Sequence, residues 1–513
     1  MANYLMGADI GTSGTKTIIM DTTGKLISSD LQEYDVLTPR ALWAEQWPDI
    51  WVEALKRSMK NAREKAGVDA EDIKGICISG LYGGSGVPVD EDMKPVRPCL
   101  IWMDRRAHEQ EKWVLEHIGA DRLYQITHNG TDPYYGYTKI LWIKDNEPEN
   151  WAKTKMFLPP NAYAIYKLTG EIAVDYSSAG NIGGIFDAEK RTWSHEMLDA
   201  MGIPRSMVPE QIVESSDIVG GLTAEAAKEM GLKEGTPVCA GGVDCVVATL
   251  GLGVFEPGSY AAAIGTSMCA ALVHDKPIHA SGLIEMPYVK NAKRLSYSFG
   301  GSATAGALIK WFRDNFAQLE KLEEEQGGKN AYAILDKAAE SIPAGSNGLV
   351  LLPYFMGERS PIWDTHARGT LFGLSLAHTK AHVYRAFLEA VAYSLRHSME
   401  STNTDLGDYI LVAGGVAKSK LWRQIIADVT GYPIVCPLND VEANLGDVIL
   451  AGVGIGLLSC DDVKSWQVMD EKVLPDPKAH AIYNEYYKLY HSIYENLKTD
   501  MKKMSDLNMG INS

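Results

Sequence analysis

Short apolar runs closed by Gly, Thr, Ser or Asp alternate along this chain with longer segments in which apolar residues recur every three or four positions. One run ends at Ile10, a second covers 17–20, and a third covers 25–28 after the turn Asp21-Thr22-Thr23-Gly24, a pattern that predicts a β-meander. Residues 51–66 have helical spacing and 73–79 return to a strand, so an α/β class follows. The pattern recurs further on: a strand over 237–241, the turn Gly242-Val243-Asp244, a helical run to Leu252, and a strand ending in Ala263-Ile264-Gly265-Thr266-Ser267. The tetrapeptide Ile-Gly-Thr-Ser stands at 10–13 and again at 264–267, each time closing an apolar strand, which is compatible with a duplication without establishing one.

Beyond that point helices are predicted over 305–316, 382–399 and 420–429, with a strand over 409–412. The segment 320–329, rich in charge and ending in Gly327-Gly328, reads as a solvated surface segment or loop. Over 481–504 the residues Tyr483, Tyr486, Tyr487, Tyr490 and Tyr494 repeat at helical spacing, a stripe expected to pack rather than bind. The expected division is a first domain over 1–250, a second over 251–480, and a C-terminal helix and tail over 481–513.

Length changes this picture little, since 513 residues already call for two cores. Charge changes it more. A net charge of −17 argues against a nucleic-acid or anionic-membrane binder, so any phosphate must be held locally. The seven scattered cysteines include no C-x-x-C pair and read as reduced thiols of a cytoplasmic protein. The start lacks the pattern of a signal peptide, and the longest apolar stretches are Gly-broken and shorter than the roughly 20 residues of a membrane span.

Three segments carry candidate chemistry. Asp9-Ile10-Gly11-Thr12-Ser13-Gly14-Thr15-Lys16 sets a carboxylate at a strand end, then a turn of Gly and hydroxyls, then a lysine. Such a turn brings backbone N–H groups close to a phosphate, and Asp9 can hold Mg²⁺ through water; an ordinary hairpin turn has the same sequence features. Asp244 follows a strand and Gly241-Gly242, where it can serve as general base toward a hydroxyl or simply as a helix N-cap. Ala413-Gly414-Gly415-Val416-Ala417-Lys418-Ser419 joins a strand to a helix whose N-terminus can face a nucleotide, or forms only a tight turn. Three Gly-rich strand ends in one chain, two of them with Asp, favour a nucleotide cleft.

These elements fall in the order of the FGGY carbohydrate kinases, and longer stretches resemble that family. Trp43-Ala44-Glu45-Gln46-Trp47-Pro48-Asp49-Ile50-Trp51 resembles its W-x-E-Q-x-P-x-x-W segment, and Lys139-Ile140-Leu141-Trp142 its K-x-x-W signature. Leu352-Pro353-Tyr354 through Gly357-Glu358-Arg359-Ser360-Pro361 resembles L-P-Y…G-E-R-x-P, and Ala367-Arg368-Gly369 through Leu374 with 384–389 its second signature. The resemblance implies an actin-like ATPase fold: two RNase-H-like α/β domains around a central catalytic cleft. It also implies ATP and Mg²⁺, with Asp244 as catalytic base and Asp9 at the metal. Thr12, Ser13 and Lys16 would lie along the phosphates, Gly265 and Thr266 would form a second phosphate loop, and Gly306, Lys310, Gly414, Gly415 and Ser419 would line the nucleotide side.

Departures from the family pattern fall on the substrate side. Tyr82-Gly83 stands where xylulokinase-like members carry Met-His and glycerol kinases Arg-Glu, Val416 replaces a common third glycine, and Cys245 replaces a common Gln or Asn. Trp102 and Asp104, in a W-x-D-x-R segment, are the candidates for stacking on and hydrogen-bonding a polyol, with Tyr82 and Gly83 beside them. The expected partner is a small sugar or polyol, a ketopentose such as D-xylulose first, with no nucleic acid and no membrane; a homodimer is compatible with this reading. Glu358 and Arg359 are cleft residues whose contact with ligand the sequence leaves open. A weakly catalytic actin-fold sensor is the competing class, and retention of both Asp9 and Asp244 speaks against it.

Overall fold

The computed structural model describes residues 3–278, 280, 282–438 and 443–511, the last four by backbone alone. Among them are two six-stranded mixed sheets. The first uses β1 (Tyr4–Ile10), β2 (Gly14–Asp21), β3 (Leu26–Glu33), β4 (Ile73–Gly80), β5 (Ile218–Gly221) and β6 (Pro237–Cys239), in the order β5-β6-β4-β1-β2-β3. The second uses β7 (Tyr260–Ile264), β8 (Met268–His274), β9 (Ile284–Pro287), β10 (Ser296–Ser302), β11 (Ile410–Gly414) and β12 (Ile434–Val435), in the order β9-β10-β8-β7-β11-β12.

Five strands of each sheet correspond. In the first, β6, β4 and β1 run parallel and β2 and β3 continue antiparallel. In the second, β12, β11 and β7 run parallel and β8 and β10 continue antiparallel. The two Ile-Gly-Thr-Ser copies sit at the same place in this scheme, at the turn after the central strand, so the sequence repeat marks a repeat of topology.

The helices that concern the site are α1 (Pro48–Ala66), α2 (Gly136–Asn146), α3 (Asp244–Gly251), α4 (Gly306–Phe316), α5 (Lys380–Glu400), α6 (Lys420–Thr430), α7 (Ala443–Gly454) and α8 (Pro477–Ile511). α1 begins with Pro at its first position and ends at Gly67 in the left-handed region (φ 64°), which returns its N–H to Arg63 and Glu64. α7 comes late in the chain yet packs on the first sheet: a Cβ at Gly7 of β1 would lie 2.4 Å from the Asn444 carbonyl oxygen and 2.9 Å from Asp447 Cβ. The two halves are thus laced together by helix-on-sheet contact as well as by the covalent link.

The tyrosine stripe packs as its spacing implies. Tyr483, Tyr487, Tyr490 and Tyr494 are buried in the core of the second half. The Tyr354 hydroxyl meets that of Tyr490 at 2.7 Å, and Tyr483 and Tyr494 donate to Glu389 and Asp364 at 2.8 Å. The charged segment at 320–329 is a solvated surface segment, one of the two forms expected of it, but part of it is helical: Gln318–Glu325 forms a helix that the Lys380–Glu320 ion pair ties to the start of α5. A run of Glu, Lys and Leu has good helix propensity, which the charge pattern concealed. Among the described residues no helix is long and apolar enough to cross a membrane.

Candidate active site

A cavity of about 370 Å³ opens between the two sheets. Its lining includes Asp9 and Thr12 from the β1–β2 turn, Asp244 and Cys245 from the start of α3, Gly265, Thr266 and Ser267 from the β7–β8 turn, Tyr82, Trp102, Tyr134 and Arg359. The fold brings these together through close backbone contacts. Asp9 pairs in register with Ser79 at the end of β4. Gly80 donates its N–H to the Gly242 carbonyl at 3.0 Å, so the end of β4 also holds the turn before Asp244. Gly241 has φ 68°, and a Cβ there would stand 1.9 Å from the Ile78 carbonyl oxygen, so glycine is required for that contact.

Asp244 is the first residue of α3, and Val243 takes the N-cap place without a side-chain bond. The carboxylate accepts the Cys245 N–H at 2.6 Å, and burial pushes its pKa up to about 6. A carboxylate in this state is ionised at neutral pH and still basic enough to take a proton from a hydroxyl. At the other acid, Ser79 Oγ lies 3.2 Å from Asp9 Oδ1 and 2.8 Å from Asp447 Oδ2. Asp447 is fully buried on α7, and burial together with the charge of Asp9 pushes its carboxyl well above the usual range. Sequence reasoning passed over Asp447; a lone carboxylate between Leu445-Gly446 and Val448-Ile449-Leu450 was the signal.

The two glycine turns differ in what holds them. Thr12 Oγ1 accepts the Trp102 indole N–H at 2.9 Å, while Ser13 is exposed and its carbonyl accepts the Tyr34 N–H. Lys16 pairs in register with Asp9 across β1 and β2. At the second turn Gly306 N–H bonds the Gly265 carbonyl at 2.8 Å, and Ala305 and Ala307 N–H bond that of Thr266. A Cβ on Gly306 would sit 2.4 Å from the Gly265 oxygen, and one on Gly414 (φ 95°) 2.2 Å from the Ile264 oxygen. Gly415 has open space around it, and Ser419 caps α6 by accepting the Trp422 N–H at 3.0 Å. Lys310 does not line the cavity; it is exposed on α4 and paired with Asp314.

On the substrate side the structure separates the candidates. Tyr82 and Trp102 line the cavity, and the Arg359 guanidinium lies 5.2 Å from the Trp102 ring centroid. Asp104 does not reach the cavity: it is fully buried, accepting the Ala44 N–H at 2.7 Å and bonds from the Arg106 backbone and guanidinium between 2.7 and 3.1 Å. Arg106 is in turn clasped by Trp43 (3.6 Å to the ring centroid) and Trp142 (4.8 Å). Three separated segments thus make one cation–aromatic knot behind the wall, with Arg106 buried between two half-buried indoles. Gly83 also stands back from the cavity. Its φ is 83°, and a Cβ would meet the Tyr134 ring at 2.8 Å, so a side chain there would displace the wall instead of reading a ligand.

Glu358 and Arg359 part ways as well. Glu358 is buried and accepts the Ala303 N–H (2.7 Å), the Arg359 N–H (2.8 Å) and the Ser302 hydroxyl (2.8 Å), fastening the 357–361 loop to β10. Burial raises its pKa to about 7. Arg359 lines the cavity itself. A divalent cation with bound phosphates fits this lining: Asp9 can hold Mg²⁺ directly or through water, with waters and phosphate oxygens as its other ligands, which leaves Asp244 free to take a proton. At Gly306 and Gly414 the absence of a Cβ lets the start of α4 and the end of β11 pack directly on the Gly265 and Ile264 carbonyls, and neither residue lines the cavity.

Paired sheets of matching topology around a cleft with two carboxylates and two glycine turns define a two-domain phosphotransferase of the sugar-kinase type. Family models agree along most of the chain: the N-terminal domain of the FGGY family of carbohydrate kinases matches residues 4–251 and its C-terminal domain residues 260–455. The chain belongs to the FGGY family of carbohydrate kinases. It is 32% identical over 516 residues to the xylulose kinase of Bacillus subtilis strain 168, covering 99% of each chain. It is also 30% identical over 471 residues to the gluconokinase of the same strain, covering 91% of this chain and 90% of that one. Among solved structures, the ligand-bound xylulose kinase from Lactobacillus acidophilus superposes with a TM-score of 0.90 at 26% identity, covering 98% of this chain and 100% of that one.

Proposed function

We propose that this carbohydrate kinase transfers the γ-phosphate of Mg-ATP to a hydroxyl of a small ketose or polyol, a ketopentose such as D-xylulose first, with Asp244 as general base. The observation that carries this reading is the joint presence of Asp9, Asp244 and both glycine turns on one cavity of about 370 Å³. Asp244 takes the proton of the attacking hydroxyl, and its pKa near 6 leaves it ready to do so at neutral pH. Asp9 supplies the fixed charge for the cation, while Thr12, Ser13 and Lys16 on one side and Gly265 and Thr266 on the other orient the phosphates. Gly306, Gly414, Gly415 and Ser419 form the nucleotide side. Mg-ATP, when bound, contributes the phosphoryl group and the charge that neutralises it. Tyr82, Trp102 and Tyr134 give the sugar aromatic faces, and Arg359 donates to its oxygens.

A second substrate class is favoured by specific observations. Arg359 lines the cavity and forms no ion pair among the described residues, and one relative is a gluconokinase, so a sugar acid with its carboxylate on Arg359 is the alternative to a neutral ketose. ADP release coupled to phosphorylation, measured over ketopentoses, polyols and aldonic acids, separates the two. Preference for D-xylulose supports the first reading, preference for an aldonate the second, and no turnover with any of them would sink both.

A further inference from the structure

We infer that Lys139 is a positioning residue of the sugar pocket: its amine holds the carbonyls of Gly83 and Tyr134 together and so fixes the aromatic wall against which the sugar rests. The inference rests on the reading of this cavity as the sugar site. Lys139 lies on the inner face of α2 and has no solvent exposure. Its Nζ donates to the Gly83 carbonyl at 2.6 Å and to that of Tyr134 at 2.5 Å, and stands 5.6 Å from the Tyr134 ring centroid.

Several features make this more than incidental packing. Tyr134 lines the cavity, and so does Tyr82, whose neighbour Gly83 is the other carbonyl owner. Gly83 presses on the Tyr134 ring, so the two wall segments share one contact and one amine. Tyr134 is gripped from its other side too, because Asp132 accepts its N–H at 2.7 Å and is itself held by Arg105. A buried amine is costly without a counter-ion, and among the described residues no carboxylate pairs with Lys139. Asp104, whose charge acts on Lys139, is committed to Arg106.

Burial lowers the Lys139 pKa to about 7. A neutral amine still carries two N–H groups, one for each carbonyl, so both bonds outlast the charge. Removing the amine leaves two buried carbonyls unpaired, and the wall segments relax away from the arrangement that fits the sugar. Among the described residues no hydrogen bond joins Gly83, Tyr134 or Lys139 to the turns at Gly265 and Gly414.

The test is a steady-state comparison of wild type and Lys139→Met with the best carbohydrate substrate. The expected result is a rise in sugar KM of about tenfold or more, with the KM for Mg-ATP within about twofold, because only the sugar wall has lost its brace. An unchanged sugar KM in the folded variant would overturn the inference, and so would a parallel rise in both KM values, which would mark Lys139 as general scaffolding. If Lys139→Met does not fold, Lys139→Leu, which likewise offers no donor to the two carbonyls, is judged by the same split. Full turnover in Asp244→Ala alongside a raised sugar KM in Lys139→Met would remove the base assignment and leave the brace standing, whereas the opposite pair of results would do the reverse.

Discussion

The same tetrapeptide, Ile-Gly-Thr-Ser, closes the central strand of each sheet, yet its two copies are built for different work. The first follows Asp9, and its Thr12 hydroxyl is tied to Trp102 on the cavity wall. The second follows Ala263, and its carbonyls are taken by the N–H groups of 305–307 at the start of α4. The loops differ too, since Ile10 pairs with Thr15 but Ile264 with Met268, one residue fewer. A repeated backbone device has thus been divided: one copy stands beside a carboxylate and bonds the aromatic lining of the cavity, the other is locked by close backbone contacts to the start of α4, and on the proposed reading the first serves the cation and the sugar wall and the second the nucleotide. The chemistry should therefore fail differently when each is damaged.

The largest effect belongs to the acid on the first side of the cleft. Asp244→Ala is expected to lower turnover by about 10²–10⁴, the usual worth of general-base assistance, while Mg-ATP affinity stays near that of the wild type. Near-normal phosphorylation by this variant would refute the base assignment. Because the base acts unprotonated and its pKa lies near 6, kcat/KM of the wild type should rise with pH through about 6 and then level. A profile flat from pH 5 to 8 would contradict this.

Asp9→Asn should come next, with turnover lower by about tenfold or more and a higher Mg²⁺ requirement, since an amide cannot supply the charge that fixes the cation. Sugar binding without nucleotide should survive. An unaltered Mg²⁺ titration would return this segment to an ordinary hairpin turn.

The second copy is probed through sterics. In Gly306→Ala the new Cβ would fall 2.4 Å from the Gly265 oxygen, and backbone must move. We expect the KM for Mg-ATP to rise about tenfold, equivalent to ~1.4 kcal/mol, with sugar KM little changed. Gly11→Ala is the comparison inside the first copy, because its Cβ would lie 3.0 Å from the Gly14 oxygen and a shift of a few tenths of an ångström suffices. Equal losses in the two variants would erase the proposed division.

Much of this was legible in the sequence, and the reasons are local. Apolar runs closed by Gly announced the strands, and Asp9 and Asp244 were visible because each stands at the end of such a run. What could not be read was direction. Asp104 and Trp102 are two residues apart, yet one faces the Arg106 knot and the other the cavity, a difference set by tertiary contact. Gly83 looked like a site residue because of what it replaces, whereas its positive φ and the Tyr134 ring account for it. Asp447 depends on Ser79, 368 positions away, and the bond from Lys139 to Gly83 spans 56, so no short window contains either pair.

The smallest effect should come from Lys310, which family resemblance alone put on the nucleotide side. It sits one helical turn beyond Gly306, but its amine is bonded to Asp314 at i+4 and exposed to solvent. An exposed pair of this kind contributes at most about 1 kcal/mol, and its loss leaves no buried group unpaired. Lys310→Ala should therefore keep both KM values and turnover within about twofold of wild type. A rise in the KM for Mg-ATP that disappears at high ionic strength would mean instead that the lysine leaves Asp314 for a phosphate when the cleft is filled, and would move the positive charge of the second glycine turn onto α4.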